Sequence, residues 1–331
     1  MKKLYYQIKK SVDISKLPEI KGYNFSKKFD FDDFIKSFSK TGIQATNLGM
    51  AIGITETMIR EKVPIFVSFT SNMISSGVRE TIRYLTENKR VNVLCTSAGG
   101  VEEDAMKAIL PFRVGDFNAQ GEALLNAGVE RIGNIYTTTD HYAYFEKFIT
   151  AVFERFISKK QFIVTPSEIC SMIGKVLEES KEYECKSSYL YWAYNNKIEV
   201  YCPGIVDGAI GDIAYFLKQK YPELKIDVLG DHKKLIDYTL QCERTGAIIL
   251  GGGIAKHYIL NANIFKEGFD YCVYITTASE NDASDSGANQ EEAVTWAKIK
   301  PNAPRVKVFC DASIAFPILV AATFARINKK A

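Results

Sequence analysis

Residues 65–77 read Ile65-Phe66-Val67-Ser68-Phe69-Thr70-Ser71-Asn72-Met73-Ile74-Ser75-Ser76-Gly77. An apolar run of β-branched and aromatic residues gives way to small polar residues. Ile74, Val78, Ile82 and Leu85 then recur at helical spacing. That order predicts a strand, a turn and a helix. The same pattern recurs outward from it. Strands are expected at residues 91–96, 131–136, 198–202, 225–229, 247–250, 271–276 and 306–310. Ile169, Met172, Ile173, Val176 and Leu177 mark another helix, which opens with Pro166 behind Thr165. Alternating β and α units predict an α/β fold: a Rossmann-like, mostly parallel sheet with helices on both faces, in a single large domain. The expected organisation is an N-terminal arm with short helices over residues 1–40 and an α/β domain over 41–331.

Ligands of such sheets bind beyond the carboxyl ends of the strands. The expected ends carry Thr70 to Gly77, then Thr96-Ser97-Ala98-Gly99-Gly100, Pro203-Gly204-Ile205-Val206-Asp207-Gly208, Gly251-Gly252-Gly253, Thr276-Thr277-Ala278 and Asp311-Ala312-Ser313. Small residues let a backbone approach a ligand, and helix starts attract phosphate. One such turn is ordinary in any α/β protein, but six in one sheet favour a dinucleotide-sized ligand. No G-x-G-x-x-G follows the first strand, so the ordinary dinucleotide fingerprint is absent.

Composition narrows the function. The chain has 331 residues, 47% hydrophobic and 24% charged, with a net charge of +3. The first forty residues hold ten Lys and five acids, which leaves 32 basic and 34 acidic residues for the body. A slightly acidic body argues against a nucleic-acid groove. The longest uncharged apolar run, residues 312–325, is short for a bilayer span, and the N-terminus lacks the apolar core of a signal peptide. The seven Cys are dispersed, with no C-x-x-C pair, which suits reduced thiols in a cytoplasmic protein. With three His and no paired ligands, no metal site is expected.

Residues 279–292 contain Glu280, Asp282, Asp285, Glu291 and Glu292 and no base. Such a segment reads either as a solvated loop or as a site for a polycation, whose ammonium groups need spaced carboxylates and an aromatic face. Trp296 and Lys298 follow directly. Lys298 reads as a surface ion-pair partner or as a nucleophilic amine, which requires a desolvated site. His257, just beyond the Gly251-Gly252-Gly253 turn, is structural unless the acidic segment folds next to it, in which case it is a base.

Together these stretches resemble the deoxyhypusine synthase family. The resemblance is carried by Thr70 to Gly77, Ser97-Ala98-Gly99-Gly100-Val101-Glu102-Glu103-Asp104 and Asp207-Gly208-Ala209-Ile210-Gly211-Asp212. It continues through Ile249 to His257, Ser284-Asp285-Ser286-Gly287-Ala288, Glu291 to Lys298 and Val306 to Ser313, in order, from about residue 22 to 325. It implies a transferase of hypusine biosynthesis that moves the aminobutyl group of spermidine to one lysine of the translation initiation factor five-A precursor, with NAD as cofactor. Lys298 is then the nucleophile that forms an imine, and His257 the base. The implied NAD contacts are Ser71, Asn72, Met73, Ile74, Ser75, Ser97, Ala98, Gly99, Glu103, Asp207, Gly252, Thr277, Ala278, Asp311 and Ala312. The implied polyamine contacts are Glu102, Glu103, Asp212, His257, Asn261, Ser284, Asp285, Glu292 and Trp296. The resemblance also implies a homotetramer with active sites shared between subunits. Two departures stand out: the glycines usual before the Ser-Asp-Ser-Gly-Ala motif and before the lysine are Ala283 and Ala297. The alternatives are a homospermidine synthase, with putrescine as acceptor, a non-catalytic partner subunit, and a generic NAD-dependent oxidoreductase.

Overall fold

The computed structural model describes residues 12–180 and 183–327, so residues 1–11 of the expected arm and 328–331 of the expected domain lie outside the described residues. Its main sheet has six strands, numbered here β1 (Ile65–Phe69), β2 (Val93–Thr96), β3 (Glu199–Tyr201), β4 (Gly246–Leu250), β5 (Tyr271–Thr276) and β6 (Arg305–Phe309). Their spatial order is β6-β5-β4-β1-β2-β3, and every neighbouring pair is parallel. The chain therefore winds outward from β1 to one edge, returns to β4 and winds to the other. The direction of winding reverses between β1 and β4, and ligands of such sheets bind at the carboxyl ends on either side of that switch point.

Both faces of the sheet are covered. Val67, Phe69, Leu94, Ile248, Leu250, Val273 and Ile275 enter one core. The alternate residues Phe66, Val93, Cys95, Ala247, Ile249, Cys272 and Tyr274 enter the other. Near-continuous apolar runs are what two-sided burial demands of a parallel sheet. The edge strand β6 is protected by helix Ile43–Arg60, from which Asn47 Nδ2 donates to Lys307 O (3.0 Å) and Gln44 Oε1 accepts from Phe309 N (2.7 Å). Helix Phe31–Thr41 runs across position 40 and buries Ile35 in the main core. The apolar run near the C-terminus forms helix Ala312–Ala322, and among the described residues no helix is long and apolar enough to cross a membrane.

Two expected strands are corrected. Residues 131–136 are not one strand of the parallel sheet. They span the turn between Val129–Ile132 and Ile135–Thr138, an antiparallel pair in a separate three-stranded sheet with Arg113–Val114. Gly133, at φ +61°, turns the chain in the middle of the run. Of residues 225–229 only Lys225–Ile226 is extended, paired with Ile163–Val164. Asp227 ends it by accepting from Leu229 N and Gly230 N (3.1 and 2.9 Å), which starts helix Val228–Gln241.

Candidate active site

The segment after β5 folds back over helix Gly253–Ile264, and lysines hold it there. Lys256 Nζ donates to the carbonyls of Asp285 and Ala288, the latter at 2.9 Å, and Lys307 Nζ donates to Gly287 O (2.7 Å). Burial lowers the pKa of Lys256. Ser286 Oγ accepts from Gly253 N (3.2 Å), and a Cβ on Gly252 would lie 2.4 Å from Ser286 Cα, so glycine is required for this close approach.

The five acids of the segment divide by role. Glu280 pairs with Lys307 (3.4 Å) and Glu291 with Arg305 (2.8 Å), while Asp282 accepts from Ser284 N (2.9 Å). Asp285 and Glu292 instead line a cleft of about 660 Å³, together with His232, His257, Asn261, Phe265, Trp296 and Lys298. Asp285 Oδ2 is buried with no hydrogen-bond partner among the described residues. A buried carboxylate oxygen left open in this way suits an incoming ammonium.

Lys298 is placed by the end of helix Gln290–Thr295. Ala297 N donates to Val294 O (3.0 Å) and Lys298 N to Ala293 O (2.9 Å), with Ala297 at φ +53°. This is a Schellman ending, whose left-handed position favours glycine. The Lys298 side chain is buried, with 8% of the residue exposed, and its Nζ stands 5.8 Å from the centre of the Trp296 ring. Nζ also meets His257 Nε2 at 3.2 Å, and Asn261, one turn on, meets His257 Nδ1 at 2.9 Å. With the Asn261 amide donating to Nδ1, a neutral imidazole carries its proton on Nε2 and presents it to an unprotonated lysine. With the amide turned over, Nε2 accepts from the lysine ammonium. The pair can thus hold the shared proton on either nitrogen.

A second group gathers at the carboxyl ends of β1, β2 and β3. Ser71 to Ser75 follow β1, and Lys107 Nζ caps their carbonyl end at Ile74 O, Ser75 O and Ser76 O (3.0, 3.1 and 3.0 Å). Ser75 Oγ donates to Glu103. A Cβ on Gly99 would lie 3.0 Å from Ser71 Cβ and 3.2 Å from Glu103 Oε1. Ser97 and Ala98 open helix Ala98–Ile109, and burial pushes Glu103 on that helix up to about 7. Burial also raises Glu102, which accepts from Ile210 N (2.7 Å) beside exposed Asp207 and Asp212. Thr277 and Ala278 follow β5, and Asp311 caps the helix after β6 through Ser313 N (2.7 Å). Of the expected polyamine residues, one chain brings His257, Asn261, Asp285, Glu292 and Trp296 into the Lys298 cleft, but Glu102, Glu103, Asp212 and Ser284 do not line it.

The family model for deoxyhypusine synthase matches residues 33–323. The chain belongs to the deoxyhypusine synthase family. It is 41% identical to the deoxyhypusine synthase of Musa acuminata, over 96% of this chain and 90% of that protein. A homospermidine synthase from Senecio vulgaris is 43% identical, over 95% and 91%. A crystal structure from Entamoeba histolytica, assigned as a deoxyhypusine synthase, superposes with a TM-score of 0.61 at 30% identity, covering 92% of this chain and 97% of that one. The expected transferase class is thereby stated for this chain, an enzyme of the deoxyhypusine synthase family. The two alanines that stand where the resemblance expects glycine, Ala283 and Ala297, both sit at left-handed φ, +58° and +53°, where glycine is the residue without strain. Sequence reading missed Lys256, Lys307 and Lys107, which hold the site's loops by their carbonyls. A lysine that serves backbone oxygens leaves no spacing signal. It also missed His232, which lines the cleft from a separate helix.

Proposed function

We propose that the cleft carries aminobutyl transfer from spermidine through Lys298, with NAD as cofactor and the translation initiation factor five-A precursor as acceptor. The observation that carries this reading is the 3.2 Å contact between Lys298 Nζ and His257 Nε2 in a cleft walled by Asp285, Glu292 and Trp296. The loops after β1, β2 and β4 suit a dinucleotide: they lie at the strand ends on either side of the switch point, and small polar residues and glycines make them up. Ser71 to Ser75, Ser97 to Gly99, Glu103, Asp207, Gly252, Thr277, Ala278, Asp311 and Ala312 would hold it. When bound, NAD supplies a hydride acceptor that later returns the hydride.

Asp285 and Glu292 hold ammonium ends, and Trp296 flanks the methylenes. His257 takes the proton of the reacting amine. Lys298 attacks the carbon beside the secondary nitrogen once that carbon is an imine, and 1,3-diaminopropane leaves. The aminobutyl group, now an imine on Lys298 Nζ, passes to the acceptor lysine. Glu102, Glu103 and Asp212 complete the polyamine path from across a subunit boundary in a homotetramer, and Ser284 adds to it beside Asp285. Exposed Val206, Phe216, Leu229, Ile254, Phe265 and Trp296, on the cleft's own elements and their neighbours, support such an assembly. The seven cysteines are free, which supports a reducing, cytoplasmic setting.

The test is a Lys298→Arg variant. Arginine keeps the charge but is never neutral, so it forms no imine. Transfer to the precursor should vanish, and borohydride trapping of the parent enzyme with NAD and spermidine should place the aminobutyl label on Lys298. A label on another lysine overturns the assignment. Running putrescine beside the precursor as acceptor distinguishes the homospermidine reaction.

A further inference from the structure

Five titratable side chains line the Lys298 cleft: His232, His257, Asp285, Glu292 and Lys298. The proposed reaction uses four of them. Lys298 is the nucleophile, His257 is held against it by Asn261, and the two carboxylates face the polyamine. His232 has no role in that scheme. It enters from helix Val228–Gln241, with its ring centre 5.4 Å from that of Tyr258 on helix Gly253–Ile264. Its Nδ1 is buried and has no hydrogen-bond partner among the described residues, and the same holds for the Tyr258 hydroxyl. A histidine kept for structure ties a ring nitrogen to its surroundings, as His141 Nδ1 does with Thr138 N at 3.1 Å. No such bond to Nδ1 fixes His232.

The reaction needs two neutral amines in succession, and the transfer reading gives His257 the first. The second is the acceptor, a primary ammonium in water, whose nitrogen has no free electron pair until a proton is removed. We propose that His232 is the base that takes the proton of the acceptor amine, an inference that rests on the transfer reading above. The freed lone pair attacks the imine carbon on Lys298 Nζ and forms the new C–N bond. A proton shifts between the two nitrogens, the bond to Lys298 Nζ breaks, and the imine remains on the acceptor. Lys298 leaves as an amine and recovers the proton held by His232. No electrons are gained or lost in this exchange, and the proton count closes.

The experiment separates the two halves of the reaction. Enzyme with NAD and spermidine is assayed for 1,3-diaminopropane release and for borohydride-trapped adduct on Lys298, which gives the loading rate. The loaded enzyme then meets the acceptor, the factor precursor in one arm and putrescine in the other, which gives the transfer rate in a single turnover. In His232→Gln the ratio of transfer to loading should fall about 100-fold in both arms, as for loss of a general base. Free imidazole should restore part of it, which a merely structural role would not allow. A ratio within threefold of the parent, or equal loss of both steps, overturns the proposal. His232→Asn is run alongside so that one misfolded variant does not decide the matter. A parent enzyme that forms no adduct on Lys298 overturns the transfer reading itself, and this proposal with it.

Discussion

Glu103 is a carboxyl group kept partly protonated at neutral pH. Burial raises it to about 7, and its neighbour Glu102 adds to the shift, while the Ser75 hydroxyl opposes both. In the folded protein it binds a proton between roughly pH 4.5 and 7 that the unfolded chain would release. The stability this group contributes is therefore full below about pH 4.5, declines as pH rises through 7, and is lost above it. A Glu103→Gln substitution removes the cost of the buried charge. Urea unfolding of the ligand-free protein should find the variant more stable than the parent at pH 8, by up to about 3 kcal/mol, with the gap closing toward pH 5. A gap independent of pH would mean that Glu103 ionises as freely as an exposed carboxylate. A protonated Glu103 can also donate a hydrogen bond, which widens what the β2 end offers to the dinucleotide proposed to bind there.

Among the elements, the short helix Gln290–Thr295 is decisive because its ending aims Lys298. Ala297 occupies the left-handed position there at a cost of about 1–2 kcal/mol relative to glycine. Ala297→Gly should raise Tm by about 1–3 °C in a thermal melt, since glycine's greater chain entropy returns part of the gain. A lower Tm would show that the alanine methyl packs productively. How far the sequence disclosed each element depends on what fixed it. β1 and β5 were legible to the residue, because burial on both faces leaves near-continuous apolar and aromatic runs, with Ser68 the one polar residue inside β1, and polar turns bound them. Helix Pro166–Glu179 was legible from Thr165 and Pro166, and Glu168 completes the capping box. The hairpin at 129–138 did carry a signal, the two-residue turn Gly133-Asn134 between Ile132 and Ile135, which the reading of 131–136 as one strand passed over. In the site, the acidic segment was legible as a composition. Which acids turn inward was decided by distant Lys307 and Arg305, which claim Glu280 and Glu291.

At the scale of the molecule, a single chain leaves the Lys298 cleft partly open, with Trp296 64% and Phe265 59% exposed on its rim. Under the shared-site proposal, activity should fall before the subunits unfold. Light scattering and turnover followed together through a mild denaturant series should show both declining at a concentration where the circular dichroism is still native. A fully active monomer would refute sharing and leave Lys298 untouched. The strand order has a further consequence, for biosynthesis. β1 lies at the middle of the sheet, yet one of its two flanking partners is β4, where Ile65 faces Gly246. During synthesis at about 5–20 residues per second, the chain between them takes on the order of 10–35 s to emerge. Throughout that interval one edge of an apolar central strand has no partner, and such non-local pairing is slow to form. Ribosome-bound chains stalled before residue 246 should be readily cut by protease around β1, whereas chains released beyond β6 should resist. Protection of β1 in the shorter chains would show that another element shields it until β4 arrives.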